Sequence, residues 1–119
     1  MISNGALGEQ YAADYLLKKG YKIAARNFRS RFGEIDIVAE NADFVAFVEV
    51  KTRSRDYISR PSEAVTLSKQ RKIIKTARYY LLENEKGLQP RFDVIEIVTA
   101  SKNDFRVWEI QHIEDAFGV

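Results

Sequence analysis

Cysteine is absent from this chain of 119 residues, and histidine occurs once, at His112. Without cysteine there is no disulfide framework and no thiolate metal site. A lone imidazole excludes a multi-histidine centre within one chain. A divalent cation would have to be held by oxygen ligands, which favours Mg²⁺ or Mn²⁺ over zinc. Long apolar runs are missing as well. None approaches the roughly 20 residues needed to span a bilayer, and Met1-Ile2-Ser3-Asn4-Gly5-Ala6 has no basic region leading into an apolar one. The expected compartment is the cytoplasm, with no membrane partner. Charge of one sign is scarce in total: 19 Lys and Arg against 17 Asp and Glu leave a net charge of +2. That total does not argue for nucleic acid, so any such argument rests on distribution. Repeats and low-complexity tracts are also absent.

What is present reads as one domain over residues 1–119, able to bury about two-thirds of its unfolded surface. The composition is 45% hydrophobic and 30% charged, ordinary for a globular chain. The pattern predicts a helix over 4–19 ending at Gly20, then a strand over 21–28 and an Arg- and Ser-rich turn ending at Gly33. Strands over 34–39 and 44–51 form a hairpin around Asn41-Ala42-Asp43. A polar loop spans 52–65, and a helix follows over 67–84, with Gly87 and Pro90 beyond it. A strand over 91–99, a turn at 101–104, a strand over 105–111 and a helical turn over 113–117 complete the chain. The order is α-β-β-β-α-β-β. A right-handed crossover through the second helix sets strand 91–99 parallel to strand 44–51, giving a mixed sheet with helices packed on it.

The most apolar strand, Phe44-Val45-Ala46-Phe47-Val48, closes on Glu49-Val50-Lys51. Glu49 and Lys51 are two residues apart on a strand and point to the same side. Charges there are costly unless something uses them. Asp36 stands on the preceding apolar strand, on the face of Glu34 and Val38. Across the hairpin it falls within about two residues of Glu49. Two carboxylates that close repel unless a cation joins them or one is protonated. A divalent metal held by Asp36, Glu49 and the Val50 carbonyl satisfies that condition. Exposed strand-end residues, with Glu49 paired to Lys51, satisfy it too. Lys51 beside metal-bound water helps orient or deprotonate it. Glu9 falls on the stripe of Ala12, Ala13 and Leu16, either as a third acid reaching the metal through water or as a helix-start acid. Gln70 shares a face with Ile73, Ile74, Ala77 and Leu81. It either holds the attacking water or is a polar residue at a helix start. His112 and Trp108 read as structural, with Trp108 in the core.

Basic residues flank these positions: Arg26, Arg29 and Arg31 before Gly33; Arg53, Arg55 and Arg60 after Lys51; Lys69, Arg71, Lys72, Lys75 and Arg78 on the second helix. The distribution suits a track for a phosphate backbone, with Arg29, Arg31, Arg53, Arg55, Lys69, Arg71 and Lys72 as the expected contacts. A solvated basic face accounts for the helix alone.

Gly8-Glu9 with Ala12, Ala13 and Leu16, Arg26-Asn27-Phe28-Arg29, Gly33-Glu34-Ile35-Asp36-Ile37-Val38, Phe47-Val48-Glu49-Val50-Lys51-Thr52-Arg53 and Arg91-Phe92-Asp93-Val94 closely resemble the YraN-like bacterial family. That family is similar to a branch of the PD-(D/E)XK nuclease superfamily, near the archaeal Holliday-junction resolvases. The resemblance implies a restriction-endonuclease-like αβββαβ core and a Mg²⁺- or Mn²⁺-dependent endonuclease acting on DNA, branched DNA included. It implies metal-binding acids at Asp36 and Glu49, a catalytic lysine at Lys51, an accessory acid at Glu9, an active-site residue at Gln70, and a homodimer. Where the motif's proline is expected, Ile35 stands. The competing expectation is a catalytically inactive nucleic-acid-binding module on the same fold.

Overall fold

Ser3 opens the first helix. Its hydroxyl accepts the Ala6 N–H at 3.1 Å, satisfying a donor that no helical carbonyl can reach. A computed structural model describes residues 3–57 and 65–118. Helix α1 spans Asn4–Lys18, and the chain leaves it through Gly20 at φ +95, a left-handed conformation that favours glycine. Strands β1 (Lys22–Ser30), β2 (Gly33–Glu40) and β3 (Phe44–Ser54) follow, with a 3-10 turn at Arg55–Tyr57. Asn41 makes the β2–β3 turn by accepting the Asp43 and Phe44 N–H groups at 2.9 and 2.8 Å. Helix α2 (Leu67–Glu83) begins at a Thr66 cap, and β4 (Gln89–Ser101) and β5 (Asp104–Phe117) close the sheet.

Sheet order is β1-β2-β3-β4-β5. Strands β3 and β4 run parallel, joined by the α2 crossover, and the other pairs are antiparallel. The fold is the mixed α/β sheet with flanking helices that the pattern predicts, compatible with a restriction-endonuclease-like core. Each helix covers one face. Ala12, Ala13 and Leu16 of α1 pack on Ile37, Ala46, Val48, Ile95 and Ile97. Ile73, Ala77 and Tyr80 of α2 pack on Ile35, Val38, Val45, Phe47 and Phe92. Burial on both faces explains why β3 reads as an unbroken apolar run.

Three departures from the sequence reading stand out. Residues 113–117 are strand, because β5 continues to Phe117 and pairs with Phe92. Trp108 is 61% exposed, not core, and the Arg55 guanidinium lies 3.7 Å from its ring centroid. The α2 stripe runs through Ile73, Thr76, Ala77 and Tyr80, rotated from the expected one. His112 is structural, and it has a partner. Its Nε2 lies 2.8 Å from Asp93 Oδ2. Asp93 is fully buried on β4 and also takes both ends of the Arg91 guanidinium fork at 2.8 Å.

Candidate active site

The site begins where β2 and β3 part. Their ladder ends at Ile37 opposite Val48, and the next residues outward are Asp36 and Glu49. The expected alternation along β2 breaks here. Ile35 packs under α2 and Ile37 under α1, although they are two residues apart. The strand therefore turns over at Asp36. Beside it on β1, Asn27 takes a φ of 52, rare for a residue with a side chain but commonest for Asn. Asp36 Oδ2 accepts the Val50 N–H at 2.8 Å, taking the place that a β2 carbonyl would hold in a continued ladder.

Glu49 lies on the α2 side with Val45 and Phe47, its carboxylate nearly buried. Lys69, from the first turn of α2, sets its Nζ 2.8 Å from Glu49 Oε1. A cleft of about 380 Å³ opens between Glu34, Asp36 and Glu49 on the sheet and Ser68, Lys69 and Lys72 on the helix. Burial, and then the negative charge of Glu49, push the Asp36 carboxyl up to about 7; the Val50 N–H and Lys69 oppose this without cancelling it. Near neutral pH, Asp36 is therefore about half protonated. The hydrogen bond to Glu49 in turn raises the Lys69 ammonium above its usual range.

Glu9 arrives from α1. A side chain at the preceding Gly8 would put its Cβ 1.9 Å from Thr52 Oγ1, so only glycine lets the helix press this closely on β3. With its amide nitrogen turned toward the acids, Asn27 donates to Glu9 Oε1 and Glu34 Oε1, each at 3.0 Å. Burial first, and then Glu34, push the Glu9 carboxyl above its ordinary value. Glu9 also adds to the charge that raises Asp36.

Two candidates stand further off. Lys51 lies half-buried on β3, opposite Glu96 of β4 and beyond the lining of the cleft. Gln70 is outside the lining as well, and its amide donates to the Val65 carbonyl at 2.8 Å. Among the described residues, no three acidic or histidine side chains converge into a ready-made metal site. The donor set is instead a carboxylate pair plus backbone, because in extended chain the Val50 carbonyl leaves on the same flank as its N–H. Hard oxygen donors, one of them raised by burial and by its neighbour's charge, fit a divalent ion such as Mg²⁺.

Comparison with known proteins bears on these positions. A family model described as "Uncharacterised protein family UPF0102" matches residues 8–97. This chain belongs to that family. A UPF0102 protein of Caldanaerobacter subterraneus subsp. tengcongensis is 46% identical over 114 residues, covering 95% of this chain and 93% of the relative. One of Thermodesulfovibrio yellowstonii is 47% identical over 116 residues, covering 98% and 96%. The Clostridioides difficile member is 45% identical over 114 residues, covering 95% of each chain. The resemblance carried by the motifs around Asp36 and Glu49 thus holds at the level of the family. The UPF0102 match takes in Glu9, Asp36, Glu49, Lys51 and Gln70, and stops before β5.

The basic residues divide into two groups. Lys69 and Lys72 face the cleft. Arg29 pairs with Glu34 at 3.3 Å, and Arg53 with the buried Glu96 at 3.1 Å. Arg55 lies on Trp108, and Arg31 is 5.0 Å from the Phe32 ring centroid. Arg71 lies exposed on α2, and Arg60 is outside the described residues. Sequence reasoning missed Glu34 as a cleft residue and Asn27 as the link between two acids. Both stand inside motif strings, and Asn is the residue type that most readily tolerates a left-handed backbone. The Lys69–Glu49 pair had no such signal, since it depends on how α2 is rotated over the sheet. Among the described residues, no helix is long and apolar enough to cross a membrane.

Proposed function

We propose that this UPF0102 member is a metal-dependent endonuclease that hydrolyses phosphodiester bonds in DNA, branched DNA included. The observation carrying the reading is the meeting of Asp36 and Glu49 in one cleft, with Asp36 raised to about 7 by burial and by Glu49. A carboxyl strongly shifted by burial and by a specific charged neighbour, lying in a cleft, is a candidate functional group. Asp36, Glu49 and the Val50 carbonyl are the groups that would hold Mg²⁺ or Mn²⁺, and Glu9 would add a further negative charge beside them. The bound cation supplies Lewis-acid stabilisation of charge on the phosphate and a more acidic water.

The protein's own groups do the rest. Lys51, which stands beyond the cleft lining, orients the water and steadies developing negative charge once its side chain turns into the cleft. Lys69, already charged at the cleft, neutralises a phosphate oxygen once Glu49 turns to another cation. Lys72 and the exposed cations Arg31 and Arg71 hold the backbone. Gln70 reaches the water only after releasing Val65. A homodimer presents two such clefts to the opposite strands of a junction.

To test this, purified protein is incubated with linear, flap and four-way DNA in Mg²⁺ or Mn²⁺, beside Lys51→Ala and Asp36→Asn. Cleavage lost in both variants is expected. Equal cleavage by the wild type and Lys51→Ala would mean a contaminant and end the proposal. The Lys69–Glu49 ion pair favours a second reading, a DNA-binding module without catalysis, in which the lysine permanently replaces the metal. That reading predicts no binding heat with Mn²⁺.

A further inference from the structure

Just past the cleft, α2 carries an unusual surface. One helical turn beyond Lys72, a groove of about 410 Å³ is lined by Phe32, Lys75, Arg78, Tyr79 and Leu82. Tyr79 is 50% exposed and Leu82 81%. Apolar side chains scattered singly over a surface need no explanation, but a contiguous group does. The lining holds two cations and, among the described residues, no carboxylate. The Phe32 ring is approached by both Arg31 and Lys75, at 5.0 and 5.5 Å from its centroid.

The groove is also firmly mounted. Gly33 packs so tightly that an added Cβ would lie 3.3 Å from Lys72 Cβ. Ser30 and Thr76 hydroxyls meet at 2.9 Å, fixing the β1–β2 turn against α2. Gly33 and Lys72 line the cleft, and Phe32 and Lys75 the groove, so the two surfaces are neighbours along the same turn and helix.

Aromatic faces beside cations match an unpaired nucleotide: the base stacks on a ring while its phosphate meets a cation. A protein partner would not call for that excess of positive charge. A paired duplex keeps its bases stacked within itself and has no face to offer. We infer that this groove docks an unpaired nucleotide of the substrate strand, its base on the Tyr79 ring and its phosphate at Lys75 or Arg78, and so selects DNA with single-stranded or splayed segments. The inference rests on the nuclease reading for the identity of the strand. It extends that reading to the substrate class.

The test measures binding in EDTA, where no cleavage occurs, so it stands apart from whether the protein cuts. Fluorescence anisotropy with an oligo-dT strand and with a blunt duplex gives the ratio of the two affinities. Tyr79→Leu should lower single-strand affinity roughly 5- to 160-fold, the range of one lost base stack, and collapse that ratio. Tyr79→Phe, which keeps the ring, should hold it within about two-fold. A strand carrying 2-aminopurine should be quenched on binding wild type and Tyr79→Phe, but not Tyr79→Leu of unchanged melting temperature. A ratio unchanged in Tyr79→Leu overturns the inference. So does a changed oligomeric state with unaltered strand affinity, which would make the groove a contact between copies of this chain. Absence of metal-dependent cleavage, with the binding results as expected, would instead remove the nuclease reading and leave the groove.

Discussion

Replacing Asp36 by asparagine should stabilise the metal-free protein at neutral and alkaline pH. The carboxyl titrates near 3.8 in the unfolded chain and at about 7 in the fold. A folded-state value raised above the unfolded one contributes stability that is complete below the unfolded pKa and is lost as the pH rises through the folded one. Above that point, folding must hold an ionised Asp36 beside Glu49 in a site short of water. At about 1.36 kcal/mol per pH unit, the difference amounts to at most about 4 kcal/mol. Relaxation around the buried charge brings the expected figure to roughly 2–4 kcal/mol. Asparagine keeps an oxygen to accept the Val50 N–H and removes the charge. Asp36→Asn should therefore melt on the order of 10 °C above wild type near pH 8, with the gap narrowing as the pH falls toward about 4. Added Mn²⁺ should reverse the order by stabilising wild type alone. Differential scanning fluorimetry across pH, with EDTA or Mn²⁺, reads all of this. A variant that melts below wild type at pH 8, or an offset that ignores pH, refutes the crowded-carboxylate reasoning.

Three further outcomes follow from the same geometry. Lys69→Ala should cost about 1–3 kcal/mol without metal, because it strands the buried Glu49 beside Asp36; Mn²⁺ should recover most of that loss in chemical denaturation. Gly8→Ala should destabilise by about 1–3 kcal/mol despite the better helix propensity of alanine, since its Cβ meets Thr52 Oγ1 at 1.9 Å; adding Thr52→Ala should restore most of it, measured by urea midpoint. Asp93→Ala should cost about 3–5 kcal/mol by leaving Arg91 buried without its carboxylate. In wild type, burial pushes Asp93 up, but His112, Arg91 and the Asp115 N–H together bring it below its ordinary value. Its contribution is thus present above pH 3.8 and lost as the pH falls through the folded value, so the variant should show a shallower acid limb in pH-denaturation curves.

Local signals were enough for the elements that carry the site. Gly20, Asn41 and the unbroken apolar run of β3 mark a helix end, a hairpin turn and a strand buried on both faces. The hairpin spacing puts Asp36 and Glu49 together, as the ladder ending at Ile37 and Val48 bears out. What escaped depends on distant partners. Residues 113–117 look like a helical turn by themselves. They extend because Asp93, some twenty positions away, takes the Asp115 N–H at 3.0 Å and the His112 ring. The facing of β2 at Asp36 escaped because regular alternation cannot foresee a strand that turns over. Trp108 looks like core by type, yet it stands on the outermost strand with Arg55 upon it. Lys69 looks like any helix cation until the rotation of α2 brings it to Glu49.

Asn27 sets a limit on how this protein can vary. Its backbone is left-handed at φ 52, which glycine tolerates best and Asn or Asp next. Its side chain gives one amide nitrogen to two acids from different elements, Glu9 of α1 and Glu34 of β2. Glycine meets the first demand and leaves the two acids unscreened. Aspartate meets the first and adds a third negative charge. Glutamine carries the amide but strains the backbone. One residue type satisfies both demands, so across lineages this position should resist drift as firmly as the acids themselves.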